Sequence, residues 1–196
     1  MSGFPQPSQI ASFVPNLPQD FGYLGWTADP ILDSTTVVLP KNNVLLVRFR
    51  AMASGSAGHV VYTVSTGGSA LTSNENFVGL YDTGQASAGV ATLLSTSADQ
   101  TTNWASANTY ATAMSTPPVL SAGQDYFVAF VSNGTTAPTL VRTAGSTALS
   151  LWTYNLSGLS ARTGQPSAAA TTLPGTITAA NIPTGSGVAL VALVTT

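Results

Sequence analysis

The stretch Gln124-Asp125-Tyr126-Phe127-Val128-Ala129-Phe130-Val131-Ser132-Asn133 limits what this chain can fold into more than any other. It is rich in aromatic and β-branched residues. Ser121-Ala122-Gly123 precedes it and Gly134-Thr135-Thr136-Ala137-Pro138 follows, so it reads as a strand between turns. Side chains alternate along a strand, which puts Tyr126, Val128 and Phe130 on one side and Phe127, Ala129 and Val131 on the other. Both sides are apolar, and such a strand must be covered twice. The closing run Val188-Ala189-Leu190-Val191-Ala192-Leu193-Val194 makes the same demand. One intramolecular core is not expected to meet both, so an N-terminal arm, a long loop or a neighbouring chain should supply a cover.

The remaining pattern is strand and turn. Thr35 to Leu39 and Val44 to Ala51 flank Pro40-Lys41-Asn42-Asn43, which reads as a hairpin loop. Leu45, Val47, Phe49 and Ala51 share one side of the second strand, opposite Val44, Leu46, Arg48 and Arg50. Further strands are expected at His59 to Ser65, Phe77 to Tyr81, Val90 to Thr96, Tyr110 to Met114, Thr139 to Arg142, Leu149 to Tyr154 and Thr176 to Ala180. Loops are expected at Ser54 to Gly58, at Thr66 to Asn76, at Gly158 to Gly175, and at Ser97 to Asn108, exposed around Trp104.

About ten short strands with no helical period predict an all-β fold, an antiparallel, jelly-roll-like β-sandwich forming a single domain over residues 35–196. Residues 1–34 carry Pro5, Pro7, Pro15, Pro18 and Pro30 and read as an extended Pro-rich N-terminal arm. Its aromatics Phe4, Phe13, Phe21, Tyr23 and Trp26 are candidates for docking on a subunit.

Only 6% of the residues are charged, against about 25% in an average globular protein, while Ser and Thr make up about a quarter. A surface of hydroxyls rather than charges suits a protein packed into an assembly. Five basic residues against seven acidic ones give phosphates almost nothing to pair with, so no nucleic-acid partner is expected. Cysteine is absent, which removes disulfides and thiolate chemistry. The opening Met1-Ser2-Gly3-Phe4-Pro5 lacks the features of a secretory signal, and no run is long enough to span a bilayer, so no membrane insertion is expected.

Catalytic chemistry has little to stand on. His59 is the one histidine, and no G-x-S-x-G elbow accompanies it: Gly158-Leu159-Ser160-Ala161 runs into Arg162. A lone histidine also defeats the common catalytic zinc sets, and the acidic calcium-loop pattern is missing. Of the carboxylates that a glycosidase pair would need, Glu75, Asp82, Asp99 and Asp125, three sit where aspartate serves turns. The glycine-rich pieces at 55–58 and 67–69 match no phosphate-binding motif. No catalytic, cofactor-binding or metal residue is assigned, and no enzymatic role is expected. Trp104, Trp152 and Tyr154 are candidates for stacking on sugar rings.

Phe77-Val78-Gly79-Leu80-Tyr81-Asp82, Ser97-Ala98-Asp99-Gln100 with Trp104 after it, Leu120-Ser121-Ala122-Gly123, and Asp125-Tyr126-Phe127-Val128-Ala129 form a recognisable series. Over residues of about 75 to 143 the chain resembles β-sandwich domains of minor tail and tail-fibre proteins of phages infecting actinobacteria. Those domains share a "GLYD" strand, an "ADQ" turn, and an "AGxYYVA" strand ending in an Asn-Gly-Thr turn, here Asn133-Gly134-Thr135. The resemblance implies a virion structural protein, assembled in the bacterial host cytoplasm with other virion proteins. It would sit at the tail tip or fibre as a homo-oligomer, trimer favoured, with host cell-surface polysaccharide as a further partner. There is no collagen-like or coiled-coil shaft, which keeps open a capsid decoration protein whose arm docks on the shell. A stand-alone carbohydrate-binding module is the other alternative.

Overall fold

The computed structural model describes residues 17–27, 34–83, 89–143, 163–164, 170–178, 189 and 191–195. In chain order the strands are β1 (Tyr23–Trp26), β2 (Ser34–Val38), β3 (Val44–Arg50), β4 (Gly55–Thr66), β5 (Ser69–Leu71), β6 (Phe77–Asp82), β7 (Val90–Thr96), β8 (Asn108–Ala113), β9 (Val119–Leu120), β10 (Asp125–Val131), β11 (Gly134–Thr136), β12 (Thr139–Thr143), β13 (Thr163–Gly164), β14 (Thr176–Thr178) and β15 (Val191–Thr195). One α-helical turn, α1 (Thr101–Trp104), interrupts them, and a 3-10 turn (Pro18–Phe21) precedes β1. The fold is all-β, and its named strands pair antiparallel throughout.

Two sheets carry it. In the first, the twelve-residue β4 is the spine. β15 and β12 pair with successive stretches of one edge of β4, β8 and β9 pair with the other, β1 flanks β15, and β2 flanks β12. The second sheet runs β13-β3-β10-β6-β7-β14, and β5 with β11 forms a separate short ribbon. Period-two alternation decides what faces inward. From the first sheet Leu24, Val60, Tyr62, Val64, Leu140, Val191 and Leu193 enter one core, and from the second Leu45, Val47, Phe49, Val78, Leu80, Val128 and Phe130 enter the same one. A shared core of this kind means that the sheets pack face to face, as in a β-sandwich.

β10 is buried on both sides, as its sequence requires. Val128 and Phe130 lie in the core between the sheets, while Phe127, Ala129 and Val131 lie in a second cluster beyond the second sheet with Val44, Leu46, Tyr81 and Ala91. Leu173 and Ile177 close that cluster. Polar fastenings hold the covering segment in place: the Tyr81 hydroxyl donates to the Pro174 carbonyl at 2.5 Å, and the Asn133 amide donates to the Ala170 carbonyl at 2.9 Å. So the cover that β10 needs comes from a loop of its own chain, and no neighbour is required for this strand. β15 is central, between β1 and β4, and buries only one side. Val191 and Leu193 are inward, whereas Ala192 and Val194 remain half-exposed.

Four local expectations are corrected. Pro40-Lys41-Asn42-Asn43 is not a hairpin loop, because β2 belongs to the first sheet and β3 to the second. The turn carries the chain across the sandwich, with Leu39 buried between the sheets and Asn42 in the left-handed region at φ 55°. Tyr23–Trp26, placed in the arm on sequence, is a strand of the first sheet whose Leu24 enters the main core. Gly55 to Gly58, expected as loop, opens β4: a Cβ at Gly55 would come within 2.9 Å of the Leu24 side chain, so glycine lets β1 close over it. Gly134-Thr135, expected in a turn, is part of the ribbon strand β11. The expected strand Leu149 to Tyr154 lies outside the described residues.

Gly67 illustrates close backbone approach. A Cβ there would sit 2.3 Å from the Ala105 carbonyl oxygen, just after α1. Neither backbone can yield cheaply, so Gly67→Ala is expected to destabilise by about 2–4 kcal/mol in chemical denaturation.

Candidate functional site

Trp104 is not in an exposed loop. It ends α1, has 0% of its surface exposed, and packs against Tyr62 and Phe130. Its indole Nε1 donates to the Tyr62 hydroxyl at 2.8 Å. That oxygen also bonds Thr112 Oγ1 at 2.8 Å, and Thr112 Oγ1 donates to Gln100 Oε1 at 3.1 Å. Asn103 donates to the same Gln100 oxygen, and the Gln100 amide donates to the Ala98 carbonyl. A tryptophan with no exposed face cannot stack on a sugar; its polar edge is spent on a buried network. Trp152 and Tyr154, and Phe4 and Phe13 among the docking candidates, lie outside the described residues.

Burial pushes the Tyr62 phenol up to about 12, against the opposing effect of its hydrogen bonds with Thr112 and Trp104. An unfolded tyrosine ionises near pH 10, so this contribution to stability is whole below about pH 10 and is lost as pH rises from there toward 12. The loss is about 3 kcal/mol, and burial raises Tyr81 in the same direction. Denaturant midpoints should therefore fall steeply above about pH 10, and a flat profile there would contradict a protonated, buried Tyr62.

Of the side chains that sequence singles out for chemistry, Asp82, Asp99 and Asp125 are absorbed by architecture. Asn76 is the hub. Its amide nitrogen donates to the Thr72 carbonyl at 2.6 Å and to Thr101 Oγ1 at 2.9 Å, and its oxygen accepts from Ser132 Oγ and the Asn133 backbone N–H, each at 3.1 Å. The Asp99 carboxylate accepts the Asn76 backbone N–H. The Asp82 carboxylate accepts the Thr92 backbone N–H at 2.7 Å, and Asp125 holds Arg48 at 2.6 Å, with Arg50 at 3.8 Å. The "ADQ" turn and the Asn133 turn thus meet at Asn76. Asn133, which opens the Asn-Gly-Thr segment, is buried, and its Nδ2 donates to the Ala170 carbonyl. Among the described residues no group of three or more histidines or carboxylates is placed to hold a metal, and no helix is long and apolar enough to cross a membrane.

What remains as a candidate site is a surface. With Val191, Leu193, Val60, Tyr62 and Thr112 turned inward, the intervening residues of β15, β4 and β8 turn outward. The bulge between Tyr23 and Gly25 resets the alternation of β1: Leu24 and Gly25 are both buried, and Tyr23 and Trp26 come to one side with ring centroids 6.3 Å apart. Phe21, 58% exposed, adds a third ring 6.0 Å from Trp26.

Cross-strand register then lays down two rows, Trp26–Ala192–Val61–Ala111 and Tyr23–Val194–His59–Ala113. Thr139 and Val141 of β12, with Thr36 and Val38 of β2, continue the same side. Val38 is 61% exposed there. Among the described residues the strands of this face turn no Lys, Arg, Asp or Glu outward, and His59 is their one outward ionisable side chain apart from the Tyr23 phenol; the exposed Asp20 lies beside Phe21 at the rim.

Thus three of the five docking candidates, Phe21, Tyr23 and Trp26, are brought together. The sequence reading missed the bulge and the rows, because cross-strand neighbours lie up to 171 positions apart, as in Tyr23↔Val194. No protein-family model matches this chain, and no curated protein is significantly similar to it.

Proposed function

We propose that the chain is a structural protein of a phage virion. It is a jelly-roll-like β-sandwich of the tail tip or fibre, built into a homo-oligomer, trimer favoured, and acting by binding rather than catalysis. The observation that carries this reading is the division of labour among polar residues. Asn76, Gln100 and Asp125 are tied into hydrogen bonds and an ion pair of the fold, while among the described residues the strands of one sheet face turn no Lys, Arg, Asp or Glu outward. A chain with 6% charged residues that presents such a face is suited to permanent neighbours. The segments with the phage-tail resemblance also interlock: β6, the "ADQ" turn, α1 and β10 share the Asn76 and Tyr62 networks and one core.

Host cell-surface polysaccharide is retained as a further partner, reached without Trp104. Mass spectrometry of purified particles tests the proposal. The chain should be present at several copies per particle, and its absence would overturn the virion assignment, including the alternative of a capsid decoration protein.

A further inference from the structure

We infer that the outward face of the first sheet, centred on the row Trp26–Ala192–Val61–Ala111, is the surface on which a second copy of this chain docks. The inference rests on the homo-oligomeric reading above and gives it an address.

Charge selects the occupant. A partner guided by charge finds, on the described strands of this face, no Lys, Arg, Asp or Glu to pair with, and only Asp20 beside Phe21 at the rim. A lipid surface normally needs basic residues around an apolar face, and they are missing too. An identical face fits: among the described residues the strands of neither copy turn outward a carboxylate, ammonium or guanidinium to strip of water, Asp20 stays at the rim, and the rings of Phe21, Tyr23 and Trp26 supply the large apolar anchors that interface centres favour.

The sheet edge agrees. β8 bounds the face with Asn108-Thr109-Tyr110-Ala111-Thr112-Ala113, a strand with no charge and no proline, paired with β4 in unbroken register. Lone soluble sheets usually guard such edges with lysine, proline or a bulge. The size is adequate as well. Six strands, each about 4.8 Å wide and about 17 Å long, present on the order of 500 Å² in projection. Side-chain relief brings this toward the ~800 Å² per partner of a standard interface.

The test is sedimentation velocity with light scattering on the full chain and on two variants, Val61→Arg at the centre of the face and Ala111→Arg on its exposed edge strand. The wild type should sediment as an oligomer. Each variant should shift to monomer mass, with association weakened by about 100-fold or more and the thermal midpoint of the monomer retained. Should Val61→Arg fail to fold, Ala111→Arg, at an exposed position, decides alone. An oligomer that survives both substitutions overturns this surface while leaving the homo-oligomer standing. A wild type that is monomeric throughout overturns both. Variants that remain oligomeric but lose binding to host cell-wall polysaccharide would assign the face to sugar and overturn the inference.

Discussion

Asn76→Ala is expected to destabilise the fold by about 3–5 kcal/mol, a large part of the 5–15 kcal/mol that holds a typical domain together. The substitution removes four side-chain hydrogen bonds at once. It also leaves Ser132 Oγ and the Asn133 N–H, both in buried residues, without the oxygen they donate to. Each such orphan costs about 1–3 kcal/mol, more than the bond was worth net. Three segments separate when the hub is lost: the loop before β6, the "ADQ" turn leading to α1, and the end of β10. Urea denaturation of wild type and variant measures it. A loss below about 1 kcal/mol would mean that the turns hold themselves without Asn76.

Phe127→Ala is expected to cost about 3–5 kcal/mol, as much as Phe130→Ala on the opposite side of the same strand. Both rings are 0% exposed, although they point to opposite sides of β10. Phe130 lies between the sheets, 5.3 Å from the Tyr62 ring, and Phe127 lies beyond them beneath Leu173 and Ile177. If the covering segment 170–178 is a true second core, truncating either ring leaves a comparable cavity. If Phe127→Ala cost a small fraction of Phe130→Ala, the second cover would be a loose flap. The same pair of denaturation curves decides this.

The sequence was most legible where a strand carries its own signature. β10, β3, β6, β7 and β12 lie close to where their aromatic and β-branched runs place them. The requirement that β10 be covered twice was also readable, because it follows from alternation alone. What supplied the cover was not. Leu173 and Ile177 sit in a stretch rich in small residues, and nothing local says that they close over Phe127.

Trp104 was misread for a related reason. Its neighbours in sequence are polar, so it looked exposed, whereas Tyr62 and Thr112, the partners that bury it, arrive from β4 and β8. The supposed hairpin at Pro40 failed because turn chemistry fixes a change of direction but not which sheet the chain enters next. Charge was legible as a total but not as a distribution. That among the described residues these strands turn no Lys, Arg, Asp or Glu outward on one face emerges only when β1, β15, β4 and β8 are set in register.

Cryo-electron microscopy of the intact particle tests the central claim most directly. Density for this sandwich is expected at the tail tip or along a fibre, in several copies about a symmetry axis, each with the row Trp26–Ala192–Val61–Ala111 turned toward a neighbouring copy. Density on the capsid shell would contradict the tail assignment. Copies at the tail that leave that row facing solvent would contradict the proposed use of the uncharged face.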